Sequence, residues 1–152
     1  MNYLFVDGAC KITEDNYVSL GWGYIITDEK FNIIEEKYGK PRKGTKNSIQ
    51  CELESLYQGL KKVYNSYSNK PCIIYSDNKS IISAIQGFSR RSSNRKYWIG
   101  IEELFNKMIG NITINHVKSH QAGDDPIIDL NRKVDRLASI GANSLIVSPV
   151  EI

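Results

Sequence analysis

The hydrophobic period of this chain changes once, near Ile49, and that change limits the architectures open to it. Upstream, β-rich runs alternate with turn signals: Tyr3 to Val6, Gly21 to Thr27, and Phe31 to Tyr38, the last two joined through Asp28, Glu29 and Lys30. Short runs of β-branched and aromatic residues between turn formers read as strands, so the N-terminal third is predicted to be an antiparallel meander. From Ile49 onward Leu53, Leu56, Leu60, Val63 and Tyr67 follow at three- and four-residue steps, the spacing of one helix face. A strand over Ile73 to Tyr75 then leads into a helix from Asp77 to Ile85, entered through Ser76, Asp77 or Asn78 as cap. A helix from Trp98 to Met108, a strand from Ile112 to Val117 and a helix from Ile128 to Ala142 complete the pattern, the last with Leu130, Val134, Leu137 and Gly141 facing inward. Three meandering strands followed by alternating helices and strands predict an α/β fold. Its single mixed sheet has an antiparallel and a parallel part covered by helices.

With 152 residues, 41% of them hydrophobic and 24% charged, the chain has the composition of one globular domain rather than a disordered segment. We expect one domain over residues 1–143 and a loosely held tail over 144–152, where Ser148-Pro149 interrupts regular structure. No apolar run reaches the roughly 18 to 20 residues of a membrane span, and MNYLFVDGA is not a signal sequence, so a cytoplasmic location without a membrane partner is expected. Cys10, Cys51 and Cys72 are odd in number and widely spaced, which points to buried reduced thiols rather than disulfides or a zinc site. The net charge is only +3, yet its distribution is uneven. Lys37, Lys40, Arg42, Lys43 and Lys46 form one acid-free window, and Arg90, Arg91, Arg95 and Lys96 form another. Both fall between predicted elements and are expected at the surface, where they are either simply solvated or the footprint of a polyanion.

Four acids stand where chemistry could be done. Asp7 follows a strand the pattern makes central; a carboxylate there needs a metal, a base or hydrogen bonds, unless Asp7-Gly8 simply forms a turn. Asp77 closes the next apolar strand, where open α/β sheets place ligands, but a helix N-cap accounts for it equally well. On the first helix Glu52 lies roughly 60° from the centre of the apolar stripe and Glu54 roughly 140°. Glu52 is therefore the candidate and Glu54 is expected to face solvent. Asp135, off the inner stripe of the last helix, would alone be read as a surface residue. Carboxylates brought together without basic partners repel one another, and hard divalent cations with oxygen ligands relieve that repulsion. Two Mg²⁺ ions, with Mn²⁺ as a substitute, roughly 4 Å apart, suit phosphodiester hydrolysis. His120, in HVKSHQAGDD, could carry a proton near neutral pH or do nothing.

Taken together, FVDGA, CELESLYQGL, IYSDNKSI and HVKSHQAG followed by NRKVDRLAS resemble the type 1 ribonuclease H family over nearly the whole chain. The resemblance implies a five-stranded mixed sheet of order 3-2-1-4-5 flanked by helices. It implies an endonuclease that cuts the RNA strand of RNA/DNA hybrids by a two-metal mechanism and leaves 5′-phosphate and 3′-hydroxyl ends. Asp7, Glu52, Asp77 and Asp135 would be the metal ligands and His120 the histidine that assists catalysis. Where the family has an Asn-rich stretch against the RNA strand, this chain has Asn47, Ser48 and Gln50, which could contact 2′-hydroxyls. Arg90, Arg91, Arg95, Lys96 and Trp98 keep the charge and an aromatic of the family's basic protrusion in a shorter segment. The enzyme is expected to act as a monomer. Resolvases and exonucleases of the same fold, or a binding module that has lost catalysis, are the competing readings.

Overall fold

A computed structural model of the chain describes residues 1–12, 14–87, 91–118 and 123–144; His120, Arg90 and the tail from residue 145 lie outside the described residues. Five strands form one sheet: β1 (Asn2–Ile12), β2 (Val18–Thr27), β3 (Ile33–Gly39), β4 (Cys72–Ser76) and β5 (Ile112–His116). Four α-helices accompany them: α1 (Ser48–Tyr67), α2 (Lys79–Ile85), α3 (Arg95–Lys107) and α4 (Pro126–Asn143). The strand order is β3-β2-β1-β4-β5, as the family resemblance implied, with β1–β2 and β2–β3 antiparallel and β1–β4 and β4–β5 parallel.

Alternation along the strands divides the core between the two faces. Leu4, Val6, Tyr24, Ile26 and Ile74 pack with α1, α2 and α3, while Phe5 and Ile25 pack with Leu130 and Val134 of α4. Asp7, two residues after Phe5, continues the α4 face, and Gly8 the α1 face. A Cβ on Gly8 would lie 2.4 Å from the backbone nitrogen of Glu52 and 2.5 Å from the carbonyl carbon of Cys51. Only glycine lets α1 cross β1 this closely. Asp7 and Gly8 pair with Gly23 and Trp22 inside a continuous ladder, so Gly8 serves helix approach rather than a turn.

Some details depart from the periodicity. The first turn of α1 carries exposed Ser48 and an Ile49 that is 40% exposed, so the buried stripe begins at Cys51 and Leu53. Helix α3 starts at Arg95 rather than Trp98, which takes part of the second basic window out of the preceding loop. Of the free cysteines, Cys51 and Cys72 are buried and Cys10 is only half-buried. Among the described residues no helix is long and apolar enough to cross a membrane.

Helix α4 lies so close to β2 that a Cβ on Gly21 would meet the Ala142 nitrogen at 2.1 Å and the Ala138 carbonyl oxygen at 2.5 Å. Both are backbone atoms and cannot rotate away. Gly21→Ala should therefore cost about 1–3 kcal/mol, a loss of roughly 3–10 °C in Tm, measured by thermal denaturation. An unchanged Tm would mean that α4 is not seated this tightly.

Candidate metal centre

Helix α1 brings Glu52 over Gly8, and the parallel β1–β4 register, Phe5 opposite Tyr75, carried onward sets Asp7 beside Asp77. One carboxylate oxygen from each of Asp7, Glu52 and Asp77 falls within 4.8 Å of the others. Asp135, exposed on α4, hydrogen-bonds the Asp7 carboxyl on the face of the sheet away from α1. Three acids from three other elements thus reach Asp7 midway along β1, just beyond the end of β4.

The alternatives open for Asp77 narrow here. The α2 cap is Asn78, whose Oδ1 accepts from the Ile81 amide at 3.1 Å, so the capping role does not fall to Asp77. The same Asn78 donates through Nδ2 to Glu52 Oε2, and its own amide nitrogen donates to Ser76 Oγ at 3.1 Å.

Asp7 is 3% exposed, and burial, followed by the acids Asp77, Asp135 and Glu52 around it, pushes its carboxyl up to about 10. Glu52 is pushed up to about 7, again mainly by burial, with Asp77 adding to it and the Asn78 amide opposing. The charged groups that act most strongly on Asp7 are acids. An oxygen-only donor set, mutually repelling around a buried carboxyl, fits a hard divalent cation such as Mg²⁺ or Mn²⁺ and does not fit a soft one.

The residues expected to touch substrate are placed less uniformly. Asn47 caps α1, accepting from the Gln50 amide at 2.9 Å, and both it and Ser48 are exposed. The half-buried Gln50 donates to Asn94 Oδ1 at 3.2 Å and accepts from the Lys46 amide at 2.7 Å, tying the start of α1 to the approach of α3. Lys43, Lys46 and Lys96 are exposed around this junction.

In the second basic window and beside it, Arg91, Arg95 and Trp98 have partners within the protein, while Lys96 is exposed. Trp98 is 3% exposed, with the Arg91 guanidinium 5.1 Å from its ring centroid, so it has no free face for a base. Arg91 donates to the Ala84 and Ile85 carbonyls at the end of α2 and pairs with Glu102 at 2.6 Å; Arg95 pairs with the same carboxylate at 2.7 Å.

Glu54 also departs from its expected place. It is 3% exposed and pairs with Arg42 at 2.7 Å, while Gln58 donates to its other oxygen at 3.0 Å. Helix α1 is covered by the sheet on one flank and by α3 on the other, so its buried arc is wider than one stripe. Arg42 lies over Tyr97 and Tyr57, its Cζ at 4.7 and 5.6 Å from the ring centroids, and donates to the Lys96 carbonyl at 3.3 Å. Arg42 and Glu54 thereby lock the β3–α1 loop to α1 and α3.

The raised acids set the sign of a pH effect. A carboxyl raised in the folded state contributes stability present below its ordinary value and lost as pH rises through the raised one. For Glu52 that window runs from about 4.5 to about 7, and for Asp7 from 3.8 to about 10. In chelator, Tm should therefore fall between roughly pH 5 and pH 8, and saturating Mg²⁺ should raise it more at the higher pH. Asp7→Asn should remove most of the slope and stabilise the chelated protein at the higher pH by at least about 1 kcal/mol, or roughly 2–4 °C. Calorimetric scans across pH would measure both; a flat Tm in chelator would contradict the buried-acid account.

The RNase H family profile matches residues 2–143. No curated protein matches the sequence. Among solved structures, LC11-RNase H1 from a compost metagenome, in complex with an RNA/DNA hybrid, superposes with a TM-score of 0.74 at 18% identity, covering 94% of this chain and 97% of that one. RNase H1 from the archaeon Halobacterium salinarum gives 0.71 at 17% identity, covering 92% and 96%. The prototype foamy virus protease-reverse transcriptase gives 0.77 at 20% identity, covering 95% of this chain but 21% of that one. At these identities the likeness establishes a shared fold, and the family match over nearly the whole chain establishes more: this protein belongs to the RNase H family and is a ribonuclease H enzyme.

Proposed function

We propose that the protein is an endonuclease that hydrolyses the RNA strand of RNA/DNA hybrids with two Mg²⁺ ions, Mn²⁺ serving in their place, and leaves 5′-phosphate and 3′-hydroxyl ends. The observation that carries this reading is the convergence of Asp7, Glu52 and Asp77, with Asp135 hydrogen-bonded to Asp7, midway along the central strand where β4 ends. In this reading Asp7 serves both ions, Glu52 and Asp77 hold one, and Asp135 holds the other. A bound divalent pair supplies Lewis-acid charge for the phosphate and the leaving oxygen, and a water of lowered pKa. The chain's own work is to keep four carboxylates deprotonated and oriented there. His120, assigned from the sequence alone, is the proposed proton carrier.

Hybrid recognition is assigned to the α1–α3 junction. Asn47, Ser48 and Gln50 offer donors and acceptors suited to 2′-hydroxyls. Lys43, Lys46 and Lys96 offer exposed charge for backbone phosphates, and Arg90 is retained from sequence. Arg91, Arg95 and Trp98 act indirectly by holding α3. That the compost ribonuclease H was solved with an RNA/DNA hybrid supports this choice of substrate.

The decisive assay uses labelled RNA in a short hybrid, beside single-stranded RNA, RNA duplex and DNA duplex, with Mg²⁺, Mn²⁺ or chelator. Internal, metal-dependent cuts in the hybrid's RNA alone are expected, and Asp7→Asn or Asp77→Asn should reduce the rate by at least about a thousandfold, roughly 4 kcal/mol, without unfolding the protein. Cleavage of DNA instead would favour a resolvase or exonuclease. Binding without cleavage would favour a docking module.

The salt dependence of hybrid affinity gives a second prediction. Lys46→Ala and Lys96→Ala should each weaken binding and lower the slope of log K against log salt by about one, while Trp98→Phe leaves the slope unchanged. Fluorescence anisotropy in chelator measures this. Unchanged slopes in both lysine variants would move the hybrid to another face.

A further inference from the structure

We infer that Asn78 is a positioning residue for the metal centre, holding the Glu52 carboxylate in the orientation from which it can serve a cation. This deepens the metal-centre reading and rests on it. Two observations on one side chain carry it. Asn78 Oδ1 accepts from the Ile81 amide at 3.1 Å, which fixes the side chain as the cap of α2. With the oxygen held there, the planar amide directs Nδ2 at Glu52 Oε2, to which it donates.

The backbone of Asn78 is itself fixed, because its N–H donates to Ser76 Oγ at the end of β4. Glu52 is thus braced from the strand-and-helix unit that also carries Asp77. Without this donor the half-buried Glu52 would be oriented only by its own helix and its hydrogen bond with Asp7, itself a member of the acidic cluster. The bond from Asn78 also explains why the cap is an amide. Serine or aspartate would cap the helix equally well, but neither could cap and donate across to Glu52.

That separation of roles supplies the test. Asn78→Ser keeps a capping oxygen and removes the amide donor, and Asn78→Asp keeps the side-chain shape while replacing the donor with an acceptor. Mn²⁺ is titrated into each metal-free, full-length protein by calorimetry, Tm is measured in chelator, and kcat and KM are measured on a hybrid. Both variants should retain a cooperative melt. The Mn²⁺ Kd should weaken about tenfold in Asn78→Ser, the usual scale for residues that orient metal ligands, and further in Asn78→Asp. The kcat at fixed Mn²⁺ should fall while the KM for hybrid stays unchanged. A merely structural cap would shift Tm without moving the Kd of the folded protein. If the parent binds Mn²⁺ and Asn78→Ser binds it equally well, the assignment of Asn78 is overturned and the metal centre stands. If the parent binds no divalent ion, both fall.

Discussion

Repulsion among carboxylates gathered around a buried one is the constraint around which this molecule is arranged. Asp7 is almost fully buried, the half-buried Glu52 and Asp77 lie within a few ångströms of it, and Asp135 reaches its carboxyl from α4. Burial first, and the neighbouring acids second, raise Asp7 and Glu52 far above ordinary carboxylates, and a positive partner would relieve both costs. The fold accepts a standing electrostatic cost midway along β1, where β4 ends. A cost of this kind beyond the carboxyl end of a parallel strand is characteristic of a functional site rather than of a scaffold.

Much of the remaining structure serves to bring those acids together. Gly8 lets α1 approach β1 until backbones nearly touch, which sets Glu52 over the strand beside Asp7. Gly21 does the same for α4, the helix that carries Asp135. The parallel register of β1 and β4 aligns Asp7 with Asp77, and Asn78 takes over the cap so that the Asp77 carboxylate is free of that duty. Farther out, the Arg42–Glu54 pair and the Glu102 link to Arg91 and Arg95 fasten α3 to α1 and α2. The surface that joins Asn47, Gln50 and Asn94 is held ready by these buried or half-buried pairs rather than by its own exposed residues.

The element order was legible in the sequence because it rests on local signals: period two against period 3.6, and caps and turns at the boundaries; the strand order came from the family resemblance. Asp7, Glu52 and Asp77 were legible as candidates because each closes or flanks an apolar run, whereas Asp135 stood out only beside the other three. What was not legible depends on tertiary partners. Glu54 reads as a solvent charge on a helical wheel because the wheel allows one buried flank, whereas α1 has two. The only hint was the basic window that precedes the helix and contains Arg42. Arg91 and Arg95 read as a nucleic-acid surface because their shared partner, Glu102, lies a full turn or more away in sequence, and Trp98 because its burial against Arg91 is a tertiary contact. Asn78 was visible as one of three possible caps, but its reach to Glu52 appears only once β4 and α1 are side by side.

The most direct test of the account is where a divalent cation binds. Crystals soaked in Mn²⁺ and measured by anomalous diffraction should show manganese ligated by carboxylate oxygens of Asp7, Glu52 and Asp77, with Asp135 completing the site. Manganese absent from this cluster at saturating concentration, with the acids sharing protons instead, would contradict the claim that repulsion among them is balanced by a metal.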